Sequence, residues 1–148
     1  MIKFEINKKE GSINPRVVLN KLSKIVSKDF KDNGVISIVI LGDKEIKKLN
    51  NNYRGKNKAT DILTFVINDK GEFGEIILGY GKLKERSKKM KTTLLATSLY
   101  LIIHGICHIL GFDHSVDVNA NKMEKKEDDY LIKMGYKLDR ESGYLSKK

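Results

Sequence analysis

The chain's three histidines all fall in one short segment, His104-Gly-Ile-Cys-His108-Ile-Leu-Gly111-Phe-Asp-His114. An α-helix turns about 100° per residue, so positions four apart lie roughly 40° from each other around the axis and about 6 Å along it. His104 and His108 therefore share a helix face. Gly111 can take the left-handed conformation that ends a helix, which lets the chain double back and carry His114 toward the same point. Neutral imidazole is the commonest protein metal ligand, and three protein ligands with a fourth position open is the arrangement of a catalytic zinc site. The spacing predicts a metallohydrolase with one Zn2+ per chain on His104, His108 and His114. The bland alternative, three unrelated core histidines, fits the clustering poorly. Imidazole also accepts copper, iron and nickel, so the donors specify a divalent transition metal before they specify zinc.

Cys107 sits between two of these ligands but about 60° from His104 and about 100° from His108 around a helix. It cannot easily join both in one tetrahedron and reads as a small core residue. A closed structural site would call for a fourth Cys or His, and the chain has no other His. A lone Cys also rules out a disulfide framework, consistent with a reducing compartment. In a zinc peptidase helix of the His-Glu-x-x-His kind the general base directly follows the first His; here that position is Gly105. Peptide hydrolysis thus lacks its usual base. Asp113, beside a proposed ligand, suits orienting an imidazole or capping the loop better than proton transfer.

Positioning these groups requires a long apolar helix, and the pattern predicts one over about 91–110. The stretch 94–110 has no formal charge at neutral pH and approaches the lower length limit of a membrane span, but two histidines and Gly105 favour a buried central helix. Upstream, alternation at 2–6 predicts a strand. Asn14-Pro15 supplies an N-cap and first helical residue for a helix to about 31, with Val17, Leu19, Leu22, Ile25, Val26 and Phe30 as its apolar face. Asn33-Gly34 is a turn before the β-branched strand 35–41, expected to be central. A short helix follows through Tyr53 with Asp43 as cap, then a basic loop at 54–58. Strands at 61–66 and 74–78 joined by a turn over 68–74 read as a hairpin. A short helix at 81–88 and a charged helix at 117–134, ended by Gly135, complete the chain. Strands and helices do not strictly alternate, so the expected class is α+β, a mixed sheet of about four strands covered by helices.

At 148 residues and 40% hydrophobic, the chain can build one compact core, and residues 1–148 show no composition break that would divide it. The N-terminus alternates charged and apolar residues instead of forming a signal peptide, which predicts a cytoplasmic protein without a membrane partner. The net charge of +10 would help steer a polyanion such as RNA. Its lysine pairs are scattered, however, as on a solvated surface.

Two segments together, Asn51-Asn-Tyr-Arg54-Gly-Lys-Asn-Lys-Ala-Thr60-Asp61-Ile-Leu-Thr-Phe65 and the three-His segment, resemble the YbeY family of bacterial endoribonucleases, with Gly74-Glu75-Ile-Ile-Leu78 between them in the same order. The resemblance implies a zincin-like α+β fold, zinc on the three His, and metal-dependent cleavage of single-stranded RNA. It further implies a role in ribosomal RNA maturation, at the small-subunit 3′ end, and in ribosome quality control, with ribosomal small-subunit components as partners. The family's loop arginine falls on Arg54, one of four Arg in a lysine-dominated chain. A planar guanidinium can hold a phosphate bidentately, which makes Arg54 the candidate catalytic residue, with Lys56 and Lys58 as weaker phosphate contacts. The chain departs from the family pattern at Ala59 and Val66 (usually Pro), Glu75 (usually Asp), Cys107 (commonly Leu) and Phe112 (commonly Tyr). None of these is a proposed ligand. Competing readings are a ribosome-associated RNA-binding or assembly factor with a structural metal, and a metallopeptidase, which Gly105 opposes.

Overall fold

A computed structural model describes residues 1–112 and 117–148; Asp113 and His114 lie in the segment outside the described residues. The elements run β1 (Ile2–Lys8), α1 (Arg16–Val26), β2 (Gly34–Leu41), α2 (Asp43–Arg54), β3 (Ile62–Asp69), β4 (Glu72–Gly79), α3 (Tyr80–Lys89), α4 (Leu94–Ile109), α5 (Asp117–Lys133), β5 (Tyr136–Leu138) and β6 (Leu145–Lys147). The main sheet has the order β1-β2-β4-β3. Strand β2 pairs parallel with both β1 and β4, and β3 closes the sheet antiparallel to β4. The class is α+β with a mixed four-stranded sheet, as expected, and the β-branched strand lies inside it.

Side chains alternate across a strand, and each face of this sheet has its own helices. Ile36, Ile38 and Ile40 of β2 join Ile76 and Leu78 of β4 in the larger core, with α1, α4 and α5. Ile77, between the last two, faces the other way into a smaller cluster with Leu41, Ile46 and Leu63. Helix α4 is enclosed on nearly every side: Leu99, Ile102, Ile103, Ile106 and Cys107 are all at most 1% exposed. Among the described residues no single helix is long and apolar enough to cross a membrane.

Several local expectations shift. Helix α1 stops at Val26 and tightens into a 3-10 turn, Ser27–Asp29, instead of continuing to 31. Ser27 is recruited to hold β1, its hydroxyl accepting the Ile2 N–H at 2.8 Å. Phe30 leaves the helix extended and packs its ring 4.8 Å from Phe73. Val17, expected on the apolar face, is 79% exposed. Pro15 takes the cap position, while the Asn14 side chain accepts the Arg16 N–H at 3.1 Å. Asp43 is the first residue of α2 and Gly42 its cap. The β3–β4 hairpin is tighter than the predicted turn at 68–74: Asp69 pairs with Glu72, leaving Lys70 and Gly71 at φ 48° and 81°, a two-residue turn with both central residues left-handed. Helix α4 begins at Leu94, later than predicted, because the Thr93 side chain caps it by accepting the Ala96 N–H at 3.1 Å. The β5–β6 hairpin, paired from Tyr136–Lys147 to Leu138–Leu145, was not predicted.

Candidate active site

His104 and His108 occupy the last two turns of α4, and one helical turn between them brings their Nε2 atoms to 3.3 Å. Two nitrogens each about 2.0–2.1 Å from a tetrahedral ion lie roughly 3.3 Å apart, so this spacing fits shared coordination. The helix ends as its glycine suggested. Gly111 has φ 102°, the Gly111 N–H donates to the His108 carbonyl at 3.0 Å and the Phe112 N–H to the Cys107 carbonyl at 3.0 Å, which together form a Schellman ending. His114 and Asp113 lie outside the described residues. Among the described residues His104 and His108 form a pair, and no group of three or more potential metal ligands occurs. Cys107 is fully buried in the core, its thiol pKa pushed far up by burial.

A residue the sequence reading missed stands behind the pair. Glu127 of α5 is 1% exposed and its Oε2 lies 2.5 Å from His104 Nδ1. A carboxylate only accepts, so Nδ1 donates, and a neutral His104 then carries its lone pair on Nε2, the atom beside His108. This is the usual support of a metal-ligating histidine. Arg140, between β5 and β6, donates from Nη2 to Glu127 Oε1 at 3.1 Å. Burial alone would raise the Glu127 pKa. The hydrogen bond from His104, then the hydrogen bond and charge of Arg140, outweigh it and hold the carboxyl below its ordinary value. A signal existed in the sequence: Met123, Glu127, Tyr130 and Leu131 form the buried stripe of α5, and a carboxylate on an apolar stripe demands partners.

The pair opens on a cleft of about 610 Å³ lined by Tyr53, Arg54, residues 62–66 of β3, Gly111 and Phe112. Arg54, expected in a loop, is the exposed last residue of α2. Gly55 then takes φ 67° and returns its N–H to the Asn51 carbonyl at 3.0 Å. Buried Asn50 ties down the following loop by donating from Nδ2 to the Lys58 carbonyl at 2.9 Å. Lys56 and Lys58 are exposed and do not line the cleft; Lys58 borders a neighbouring depression with Lys82, Arg86 and Lys89. Tyr53, 67% exposed, sets its ring edge-on to Phe65 with centroids 5.1 Å apart. Gly105 faces the sheet: a Cβ there would stand 2.8 Å from Ile76 Cδ1 and 3.1 Å from Thr64 Oγ1.

A carboxylate-backed imidazole pair and a guanidinium thus border one groove. The family model for Endoribonuclease YbeY matches residues 3–135, and the chain belongs to that family. Proteins named Endoribonuclease YbeY are 40% identical over 119 residues in Thermodesulfovibrio yellowstonii, covering 75% of this chain and 73% of that protein, and 36% identical over 121 residues in Buchnera aphidicola, covering 78% and 77%. A Thermotoga maritima protein solved in solution superposes with a TM-score of 0.68 at 30% identity, covering 90% of this chain and 89% of that one.

Proposed function

We propose that residues 1–148 act as a single cytoplasmic hydrolase domain, a zinc-dependent endoribonuclease that cleaves single-stranded RNA during ribosomal RNA maturation. His104, His108 and His114 would hold the ion and Arg54 the scissile phosphate. The observation that carries this reading is the His104–His108 pair, Nε2 to Nε2 at 3.3 Å and backed by buried Glu127, opening on the cleft that Arg54 lines. A divalent ion there supplies Lewis acidity and a water acidified to near neutrality. Glu127 accepts the hydrogen bond from His104 Nδ1–H and fixes the ring. Arg54, exposed at the cleft margin, binds the non-bridging phosphate oxygens and offsets the charge that grows on them during cleavage. Tyr53 and Phe65 offer aromatic surface beside it for a base of an unpaired strand. Gly105 supports RNA over peptide as substrate, because it supplies no general base and the packing against Ile76 leaves no room for one.

Arg54→Ala and His114→Ala should each abolish cleavage of a single-stranded RNA while leaving the protein folded. Wild-type rates from a metal-free Arg54→Ala sample would remove the catalytic assignment. RNA binding retained by a wild-type protein that does not cleave would favour an assembly factor with a structural ion.

A further inference from the structure

Arg140 lies beyond the segment that the family model matches, residues 3–135, yet it reaches the interior of the candidate site. A buried carboxylate is costly unless its oxygens are partnered, and Glu127 spends Oε2 on His104 and Oε1 on Arg140. The same Nη2 also meets Asp128 Oδ1 at 2.9 Å and the Glu124 carbonyl at 3.3 Å, so the guanidinium is held to α5 at three points. Its own segment is anchored too. Asp139 Oδ1 accepts the N–H groups of Glu141 and Ser142 at 2.9 and 3.4 Å. The Asp139 N–H donates to the Tyr144 carbonyl at 3.0 Å, and the Leu145 N–H to the Met90 carbonyl at 3.0 Å. Leu145 is 2% exposed in the main core.

We infer that Arg140 is a positioning residue for the metal centre: the anchored β5–β6 hairpin presents its guanidinium to Glu127, which in turn holds the His104 ring with Nε2 toward His108. The inference rests on the metal reading above. A loose carboxylate would let the ring rotate and weaken the ligand set without removing any ligand.

The test is the affinity of the full-length protein for Zn2+, measured by competition with a chromophoric chelator, with the thermal midpoint of the metal-free protein followed alongside. Partners behind a ligating histidine are worth about 10–100-fold in metal affinity. Glu127→Gln should fall in that range and Arg140→Ala near its lower end, about 10-fold, with Arg140→Lys recovering part of the loss. In a Glu127→Gln background, Arg140→Ala should cost almost nothing more, because its route is through that carboxylate. With Co2+ in place of zinc, Arg140→Ala should also alter the visible absorption band. Unchanged Zn2+ affinity in Arg140→Ala, with only a lower thermal midpoint, would make Arg140 a strut of the hairpin and overturn the inference. Should Arg140→Ala fail to fold, wild-type affinity in Arg140→Lys and in a folded Arg140→Gln would overturn it equally. Failure of the wild-type protein to bind Zn2+ would overturn the metal centre itself, an outcome distinct from the others.

Discussion

Gly105 acts in two ways at once. Its missing side chain removes a general base from the helix, and it lets α4 lie against β3 and β4 closely enough to put both histidines on the cleft. The expected consequence is that Gly105→Ala destabilises despite alanine's better helix propensity. The new methyl would stand 2.8 Å from Ile76 Cδ1 and Cγ1, and Ile76 is fully buried. Overpacking of this sort costs about 1–3 kcal/mol, against roughly 1 kcal/mol of propensity gained. A urea unfolding midpoint at or above wild type would show that α4 has slack over the sheet. The chemical half of this residue was legible in the sequence, because a base is either present or absent after the first His. The packing half depended on Ile76, which only the fold brings alongside. Glu127 is the converse: its position on an apolar stripe could be read, but its partner His104 lies 23 residues away on another helix.

At the scale of elements, α5 is tied to the 3-10 turn that follows α1 by a contact spanning 101 residues. The Tyr130 hydroxyl donates to Asp29 Oδ2 at 2.5 Å, and Lys126 adds its ammonium at 2.9 Å from the same oxygen. Burial pushes the Asp29 pKa up, but Tyr130 and then Lys126 outweigh it, leaving the carboxyl below its ordinary value of 3.8. A carboxyl depressed in the folded state contributes stability that is present above its unfolded pKa and is lost as pH falls through the lower folded value. Asp29→Asn should therefore flatten the acid limb of the stability curve, so that the wild-type urea midpoint falls more than the variant's from about pH 5 to pH 3. Tyr130→Phe should cost about 1 kcal/mol at neutral pH; Asp29 is partly exposed and keeps Lys126, so the loss stays modest. Equal acid sensitivity in Asp29→Asn would show that other carboxyls govern the limb. Long elements with continuous apolar runs, β2 and α4, were readable because they are buried or half-buried along their length. The β5–β6 hairpin was not, since each strand has only three residues and two of the six are exposed lysines, Lys137 and Lys147. Its stability comes from Leu145 in the core and from the turn around Asp139, both tertiary facts.

Across the whole molecule, the sheet order separates charge that can touch a substrate in the cleft from charge that only attracts it. Strand β3, which lines the cleft, and strand β1, which ends in Lys8 beside Lys9, are opposite edges of the sheet. A net charge of +10 speeds encounter with RNA wherever the lysines lie, but only phosphates neutralised in the complex release counterions and set the salt dependence. Arg54, Lys56 and Lys58 follow one another at the end of α2, and Asn50 restrains their loop. Three single-strand phosphate contacts at about 0.7 each predict that log affinity falls with log salt at a slope of roughly −2. Replacing Lys56 and Lys58 by Ala should bring that slope to about −0.7, whereas Lys8→Ala with Lys9→Ala should lower the association rate at low salt and leave the slope near its wild-type value. Fluorescence anisotropy of an inactive His114→Ala background on a short unpaired RNA, over a salt series, measures both quantities. Equal slope losses for the two lysine pairs would mean that RNA wraps both edges of the sheet, and the local track beside Arg54 would have to be abandoned.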